Sequence, residues 1–402
     1  MWRTAKKEWC VMQESFIAGA VRTPIGNLNG ALSSLSATEL GSCVIQEVVR
    51  RTAIEPRKID EVIMGNVLSA GLGQAPGRQA AKGGGLPDSV DATTINKLCG
   101  SGLKAVMIAA DAIRSGSAHV VVAAGMESMS GAPYLLNKAR SGYQVGHGEL
   151  VDSIIKDGLW DAYGDVHMGS YAELCAAKYE FTREAQDDFA VRSYTKALKA
   201  QEQGWFREEI VPVEIPAKPE SWRIYQDERL HRFNEPKLRK LAPAFEPEGT
   251  ITAGNASGIN DGAAAMIVVA EDRLRSLDIT PMARILGFSQ KALAPEWFTI
   301  APIEAIQDLL RKLKMEANQF DLYEINEAFA VVTMAAIKEL RLDPDRVNIH
   351  GGAVALGHPI GASGARILTT LLHALKRTGG KRGIASLCIG GGGAVALAVE
   401  LC

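Results

Sequence analysis

Short apolar runs alternate with stretches of helical period through the first third of the chain. Residues 16–20 and 61–67 each read as a strand. Residues 119–124, valine and alanine with little alternation, read as a strand buried on both faces. Residues 102–114, between the last two, are small and apolar almost all round, as in a helix enclosed between layers. Strand, helix, strand in this order predicts right-handed crossovers and a mainly parallel sheet. The last third repeats the style. Pro302 opens a helix whose apolar face carries Ile306, Leu309, Leu310 and Leu313. Strands at 322–325 and 347–350, helices at 329–340 and 362–376, and strands at 384–389 and 394–400 follow. Two halves of like design suggest a duplicated α/β unit, with 264–270 returning as a strand of the first half.

The middle of the chain differs. Residues 130–258 hold more charge, aromatics and proline, and 212–247 hold several prolines. Thr182 caps a helix with an acidic first turn, and Phe189, Ala190, Tyr194 and Ala197 share one of its faces. This segment is expected to lie over the sheet domains as an insertion. The expected division is residues 1–129 with 259–281, an inserted 130–258, and 282–402.

A length of 402 residues exceeds what one core usually supports, so more than one domain-sized unit is expected. A net charge of −2 gives no reason to expect nucleic acid or an anionic membrane as partner. No apolar run approaches the roughly 20 residues of a membrane span. The six cysteines, at 10, 43, 99, 175, 388 and 402, show no CxxC pair and no metal-ligand spacing. They read as reduced thiols of a cytoplasmic protein, and no metal is expected. Residues 1–11 are basic without an apolar signal core and read as an extended start, and the last three residues, ELC, do not match the SKL peroxisomal address.

Five segments can carry chemistry. In NKLCGSG at 96–102, Cys99 ends an extended stretch just ahead of a helix. Free amide N–H groups and the helix dipole there favour a thiolate; a buried cysteine in a glycine-capped turn is the bland alternative. In GGAVALGHPIGASG at 351–364, His358 sits on a glycine-rich loop ahead of an apolar helix. An imidazole so placed can activate a thiol. The run also suits a phosphate cradle, although it lacks the P-loop pattern. In CIGGGGA at 388–394, Cys388 ends a β run, and the four glycines after it expose N–H groups to a developing oxyanion. Asn326, in EINEAFA at 324–330, sits at a strand-to-helix bend and reads equally as an N-cap. The small polar segment 252–263 suits a ligand loop or a plain connector. Two cysteines and a histidine at strand ends make a coherent set for acyl transfer, and active sites of open α/β sheets lie at that end.

Taken together these motifs resemble the thiolase family. The matching segments are RTPIG at 22–26, NKLCGSGLKA at 96–105, AGMESMS at 124–130, HMG at 167–169, residues 253–262, NEAF at 326–329, residues 352–364 and CIGGGG at 388–393. They stand in family order over nearly the whole chain. The resemblance implies an α/β fold of two fused α/β/α/β/α-type halves with an inserted loop domain, and a homotetramer. It implies acyl-CoA C-acyltransfer through a thioester on Cys99, with His358 deprotonating Cys99 and, with a water held by Asn326, stabilising the thioester oxygen of the bound acyl-CoA. Cys388 would move the α-proton, and N–H groups of Cys99 and Gly390 would form a second oxyanion hole. Leu159, His167, Met168, Ser257, Ala328 and Phe329 would line the pantetheine and acyl pocket. Coenzyme A thioesters are then the substrates and no cofactor is needed.

The His167-Met168 pair resembles short-chain members, so acetyl-CoA C-acetyltransferase activity is expected, with a broader 3-ketoacyl-CoA thiolase of β-oxidation as the alternative. A non-catalytic acyl-CoA or lipid-binding relative would have lost one of Cys99, Asn326, His358 or Cys388, and a ketoacyl synthase would use two histidines. The chain departs from the family at 221–245, where Ala242 replaces a common arginine. Arg229, His231 and Arg232 are therefore the candidates for the coenzyme A phosphates. The run 295–302, with Trp297 and Phe298, also departs from the commonest short-chain pattern, and these two either narrow the acyl pocket or merely pack.

Overall fold

The computed structural model describes residues 13–216 and 220–402. The basic start at 1–11, with Cys10, lies outside the described residues. Nine strands follow one another across a single sheet. They are β1 (Ser15–Arg22), β2 (Glu61–Gly65), β3 (Asp91–Ile95), β4 (Val120–Ser128), β5 (Asn260–Ala270), β6 (Ala283–Ala292), β7 (Leu322–Ile325), β8 (Arg382–Ile389) and β9 (Gly393–Leu401). Their spatial order is β7-β8-β9-β6-β1-β5-β4-β2-β3. A tenth piece, Gly26–Asn27, pairs with the start of β5.

The order contains a repeat. In the first half β2 runs parallel to β4, β4 antiparallel to β5, and β5 antiparallel to β1. In the second half β7, β8, β9 and β6 repeat the same order and the same directions. The halves join where β1 meets β6.

The sheet is mixed and not mainly parallel, which corrects the sequence expectation. β1, β2, β3 and β4 do share one direction, as crossovers require. The chain then returns from the insertion as β5, between β1 and β4 and antiparallel to both. In the second half β8 turns back directly into β9 through a short glycine turn. A crossover rule read along the sequence cannot foresee a strand delivered from a segment more than 100 residues away.

Helices complete five layers. α1 (Ala37–Thr52) covers the outer face of the first half, and α5 (Ala301–Leu313) with α6 (Ala330–Leu340) covers that of the second. α2 (Ser101–Ser115) and α7 (Ile360–Thr378) lie between the halves, in a core lined by both inner faces. The inserted stretch contributes α3 (Met168–Tyr179) and α4 (Arg183–Glu202). Thr182 caps α4 as expected, accepting from the Ala185 N–H at 3.1 Å, and Phe189, Ala190, Tyr194 and Ala197 are buried.

The predicted strand at 347–350 is absent. Val347 makes a single bridge to Tyr323. Asn348 then takes φ 46° and turns its amide back on β7, accepting from the Ile325 N–H at 2.9 Å and donating to the Ile325 carbonyl at 2.8 Å. A residue that completes its neighbour's edge through its side chain cannot continue a strand of its own. The short helix Ala353–Leu356 follows instead.

Two glycines set the approach of the central helices. A Cβ on Gly102 would stand 2.6 Å from the Ala365 nitrogen, and one on Gly364 would stand 2.2 Å from the Leu103 nitrogen. Both obstacles are backbone, so any side chain would force α2 and α7 apart. This contact brings their N-terminal ends, and the residues just before them, together.

Candidate active site

Those ends and two strand ends form one site. Cys99 precedes the Gly100 cap of α2, and His358 lies two residues before Ile360, the first residue of α7. Cys388 lies near the end of β8, and Asn326 directly follows β7. A cavity of about 640 Å³ opens onto them. Cys99, His358, Cys388, Gly390, Leu159, His167, Met168, Ser257, Ala328 and Phe329 all line it. Asn326 stands behind the wall, with its Nδ2 at 3.4 Å from His358 Nε2. The structure therefore brings these catalytic and pocket residues to one place. A shallower groove of about 820 Å³, lined by Glu173, Glu180, Phe181 and 246–250, contains none of them.

The turn that presents Cys99 is strained and braced. Leu98 sits in the left-handed region at φ 46°, which costs a side-chain-bearing residue roughly 1–2 kcal/mol. Its N–H is held by Asn96 Oδ1 at 2.9 Å, and its carbonyl accepts from the Ser101 hydroxyl at 2.7 Å. The glycine turn after β8 meets it from the other side. Gly391 and Gly392 have φ of 78° and 89°, so that turn needs glycine twice. A Cβ on Gly390 would lie 3.1 Å from Leu98 Cδ1. The Gly390 N–H and that of Cys99 itself both donate toward the Cys99 sulfur.

Those donors favour a thiolate but do not win. Burial pushes the Cys99 thiol up to about 11, against the expectation that the helix end alone would ionise it. Burial also pushes His358 down to about 3 and the Cys388 thiol well above its ordinary value. The resting site is thus neutral thiols beside a neutral imidazole. Its proton transfers belong to the reaction itself.

The loop that carries His358 is fixed on several sides. The Ser363 hydroxyl donates to the Pro359 carbonyl at 2.9 Å and lies 2.6 Å from His358 Nδ1. With its single proton so engaged, Ser363 accepts from an Nδ1–H, which leaves Nε2 free as the base. Asn260 Oδ1 accepts from the His358 N–H at 2.9 Å. Glu127, 0% exposed, accepts from the N–H groups of Val67, Leu68 and Gly361 at 3.1, 3.1 and 2.8 Å and so ties α7 to the loop after β2. Glu327 likewise accepts from Ser193 at 2.7 Å and from the Val354 N–H at 3.2 Å. The sequence reading selected none of Ser363, Asn260, Glu127 or Glu327. All four lie inside quoted motifs, but nothing along the chain marks which polar residue of a motif turns inward.

The substrate wall comes from the insertion. His167 caps α3 through Nδ1 and stacks on Phe245 at 4.6 Å between ring centroids. Ser257 donates its N–H to the Ala328 carbonyl at 2.9 Å, joining the 253–259 segment to the Asn326 loop. Of the basic candidates, Arg229 is already occupied. Its Nε donates to the Tyr194 hydroxyl and the Val354 carbonyl at 2.8 and 2.9 Å, and Nη2 reaches the Ala253 carbonyl at 3.2 Å. His231 does not line the cavity, whereas Arg232 and the unforeseen Lys237 do. Phe298 lines it as well, but Trp297 packs beneath Lys178 at 4.4 Å.

Comparison with known proteins agrees with this geometry. Residues 15–272 match the thiolase N-terminal domain model and 279–401 the thiolase C-terminal domain model. The chain belongs to the thiolase family and is an acyltransferase. It is 54% identical over 389 residues, 96% of each chain, to acetyl-CoA acetyltransferase 2 of Arabidopsis thaliana. It is 49% identical over 388 residues, 96% of this chain and 98% of the relative, to a Gibberella zeae acetyl-CoA acetyltransferase described as cytosolic. An Ascaris suum thiolase, solved in complex with coenzyme A, superposes with a TM-score of 0.92 at 43% identity, covering 97% of this chain and all of that one.

Proposed function

We propose that this chain is an acetyl-CoA C-acetyltransferase, converting two acetyl-CoA to acetoacetyl-CoA and coenzyme A, and the reverse, through an acetyl thioester on Cys99. The observation that carries the reading is the single cavity in which two thiols, one imidazole and the Gly390 N–H converge. In the first half, the Cys99 sulfur attacks the acetyl carbonyl carbon, and His358 Nε2 takes the thiol proton and passes it to the departing coenzyme A sulfur. In the second, with coenzyme A gone, His358 Nε2 takes the Cys388 thiol proton, and the Cys388 thiolate so formed removes an α-proton from the next acetyl-CoA. The His358 Nε2–H, with a water held by Asn326, binds its thioester oxygen as negative charge develops. The carbanion attacks the Cys99 acetyl group, whose oxyanion sits between the N–H groups of Cys99 and Gly390. Each such donor supplies on the order of 3 kcal/mol. The Cys99 sulfur then leaves and takes the proton from His358, while Cys388 keeps the one drawn from the α-carbon. Coenzyme A thioesters serve as substrates, and no further cofactor enters these steps.

Acyl length follows from the cavity wall. Met168, whose sulfur would stand 3.8 Å from a Cβ on Gly390, and Phe298 both line the cavity, and their bulk favours acetyl and acetoacetyl groups over long chains. The test is mass spectrometry after mixing with acetyl-CoA, followed by thiolysis across chain lengths. The expected results are an acetyl adduct on Cys99 and activity falling at least about tenfold by C8, since pocket exclusion of this size is worth at least 1–3 kcal/mol. Brisk C8 thiolysis would instead assign the broader β-oxidation specificity, and absence of the adduct would remove the reading altogether.

The proposed assembly is a homotetramer in the cytosol. Among the described residues no helix is long and apolar enough to cross a membrane. The hairpin of Tyr134–Leu136 with Leu150–Asp152 leaves Tyr134, Leu136 and Leu150 in solvent, beside the fully exposed Val145. A patch of that kind on a small protruding sheet marks a surface that another subunit covers. Sedimentation is expected to give four times the chain mass. A monomer at micromolar concentration would exclude this assembly.

A further inference from the structure

One oxygen atom stands between the turn of the nucleophile and the loop of the base. Glu127, on β4, is 0% exposed. Its Oε2 accepts from two backbone N–H groups, that of Val67 at 3.1 Å and that of Gly361 at 2.8 Å. Gly361 is three residues beyond His358. It lies in the turn where the Ser363 N–H bonds the Pro359 carbonyl at 2.9 Å and the Ser363 hydroxyl meets His358 Nδ1. Val67 leads the other way. Its carbonyl accepts from Asn96 Nδ2 at 3.4 Å, and Asn96 Oδ1 accepts from the N–H of Leu98, the left-handed residue before Cys99. Glu127 Oε1 braces the same loop, accepting from the Leu68 N–H at 3.1 Å and from Asn66 Nδ2 at 2.9 Å. The approach to α7 is close, since a Cβ on Gly361 would stand 2.7 Å from Oε2 and 2.7 Å from the Met126 carbonyl oxygen. Val67, Leu68 and Ile360 then pack with Leu98 and Cys99 in one apolar cluster.

We propose that Glu127 is a positioning residue for the proton transfer between Cys99 and His358: by accepting from both branches at one oxygen, it fixes the imidazole at the separation from the thiol that the transfer requires. The proposal rests on the thiolase reading and adds a residue to it. Glu127 acts through the backbone, and its four partners are uncharged donors. Reach, and not charge, is what this role demands. Glutamine keeps the reach. Asn66 Oδ1 has no hydrogen-bond partner, so the Asn66 amide can turn to accept from a glutamine nitrogen at the Oε1 position, which leaves an oxygen for Val67 and Gly361. Aspartate keeps the charge but is shorter by one carbon–carbon bond, about 1.5 Å, and cannot serve both branches. Burial pushes the Glu127 carboxyl up to about 7, while the N–H groups of Leu68, Gly361 and Val67 pull it down. The comparison is therefore made at pH 8, with the carboxylate ionised.

Wild type, Glu127→Asp and Glu127→Gln are compared per folded molecule in thiolysis of acetoacetyl-CoA, in acetylation of Cys99 by acetyl-CoA and in alkylation of Cys99 by iodoacetamide. A misplacement of about 1 Å between reacting groups can cost about 100-fold. Glu127→Asp is expected to lose about 10–100-fold in kcat and in the acetylation rate, with KM for acetoacetyl-CoA within about threefold because the cavity wall is unchanged. Glu127→Gln is expected to stay within about fivefold of wild type in all three. Alkylation reads thiolate formation without any acyl-CoA, and its rate is expected to fall from wild type through glutamine to aspartate. If both variants keep kcat within about threefold, Glu127 has a structural role only. If glutamine loses as much as aspartate or more, charge matters and not reach. Either result overturns the proposal. If wild-type Cys99 takes up no acetyl group, the thiolase reading itself has failed, and the order of the alkylation rates still decides the positioning. Should Glu127→Asp not fold, Gly361→Ala, which presses a methyl group onto Oε2, takes its place with the same expected loss.

Discussion

Cys99→Ser is expected to cost on the order of 10⁴-fold or more in the thiolysis of acetoacetyl-CoA while leaving the fold intact. Serine differs from cysteine by one atom, and the turn that holds position 99 depends on Leu98, Asn96 and Ser101. A melting temperature close to that of wild type is therefore expected. The chemical loss comes from the nucleophile. A half-buried thiol pushed up to about 11 can still give up its proton to His358 when the acyl group arrives. A hydroxyl is several units less acidic and offers His358 no comparable transfer. Losing the nucleophile of a coupled set usually removes almost all of its rate enhancement. Steady-state thiolysis and the disappearance of the acetyl adduct are the measurements. A serine variant within tenfold of wild type would mean that Cys99 is not the acyl carrier.

The same residue shows what the chain makes legible and what it hides. Cys99, His358 and Cys388 stand out because each interrupts a run of small residues at a strand end or helix start, and local pattern identifies such junctions. The strands at 61–67 and 119–124 and the helix at 102–114 were readable because burial on all sides leaves long apolar runs. Position across the sheet was not. Asn260 reaches His358 only because β5 enters between β1 and β4, and its sequence neighbours give no sign of that pairing. Charge state was hidden for a similar reason. The helix end beside Cys99 is visible in the sequence, but the burial that outweighs it comes from β8, α7 and the insertion.

Cys388→Ala is expected to separate the two half-reactions. Acetylation of Cys99 by acetyl-CoA needs Cys99, His358 and the oxyanion donors, and it should survive within about tenfold. Carbon–carbon bond formation and cleavage should fall about 10²–10⁴-fold, the usual contribution of a positioned acid or base. The environment of Cys388 supports that role over a nucleophilic one. Its side chain is 1% exposed at the end of β8, and burial with the nearby Cys99 pushes its thiol well above the ordinary range. A thiolate formed there is a correspondingly strong base, suited to a weakly acidic α-hydrogen. Exchange in heavy water distinguishes the steps directly. Wild type is expected to wash deuterium into the methyl group of acetyl-CoA, and the alanine variant to acetylate Cys99 without exchange. If the variant exchanges at the wild-type rate, another group removes the α-proton. An imidazole of the cavity wall, His358 or His167, would then be the base, and the division of labour between thiol and imidazole would have to be reversed.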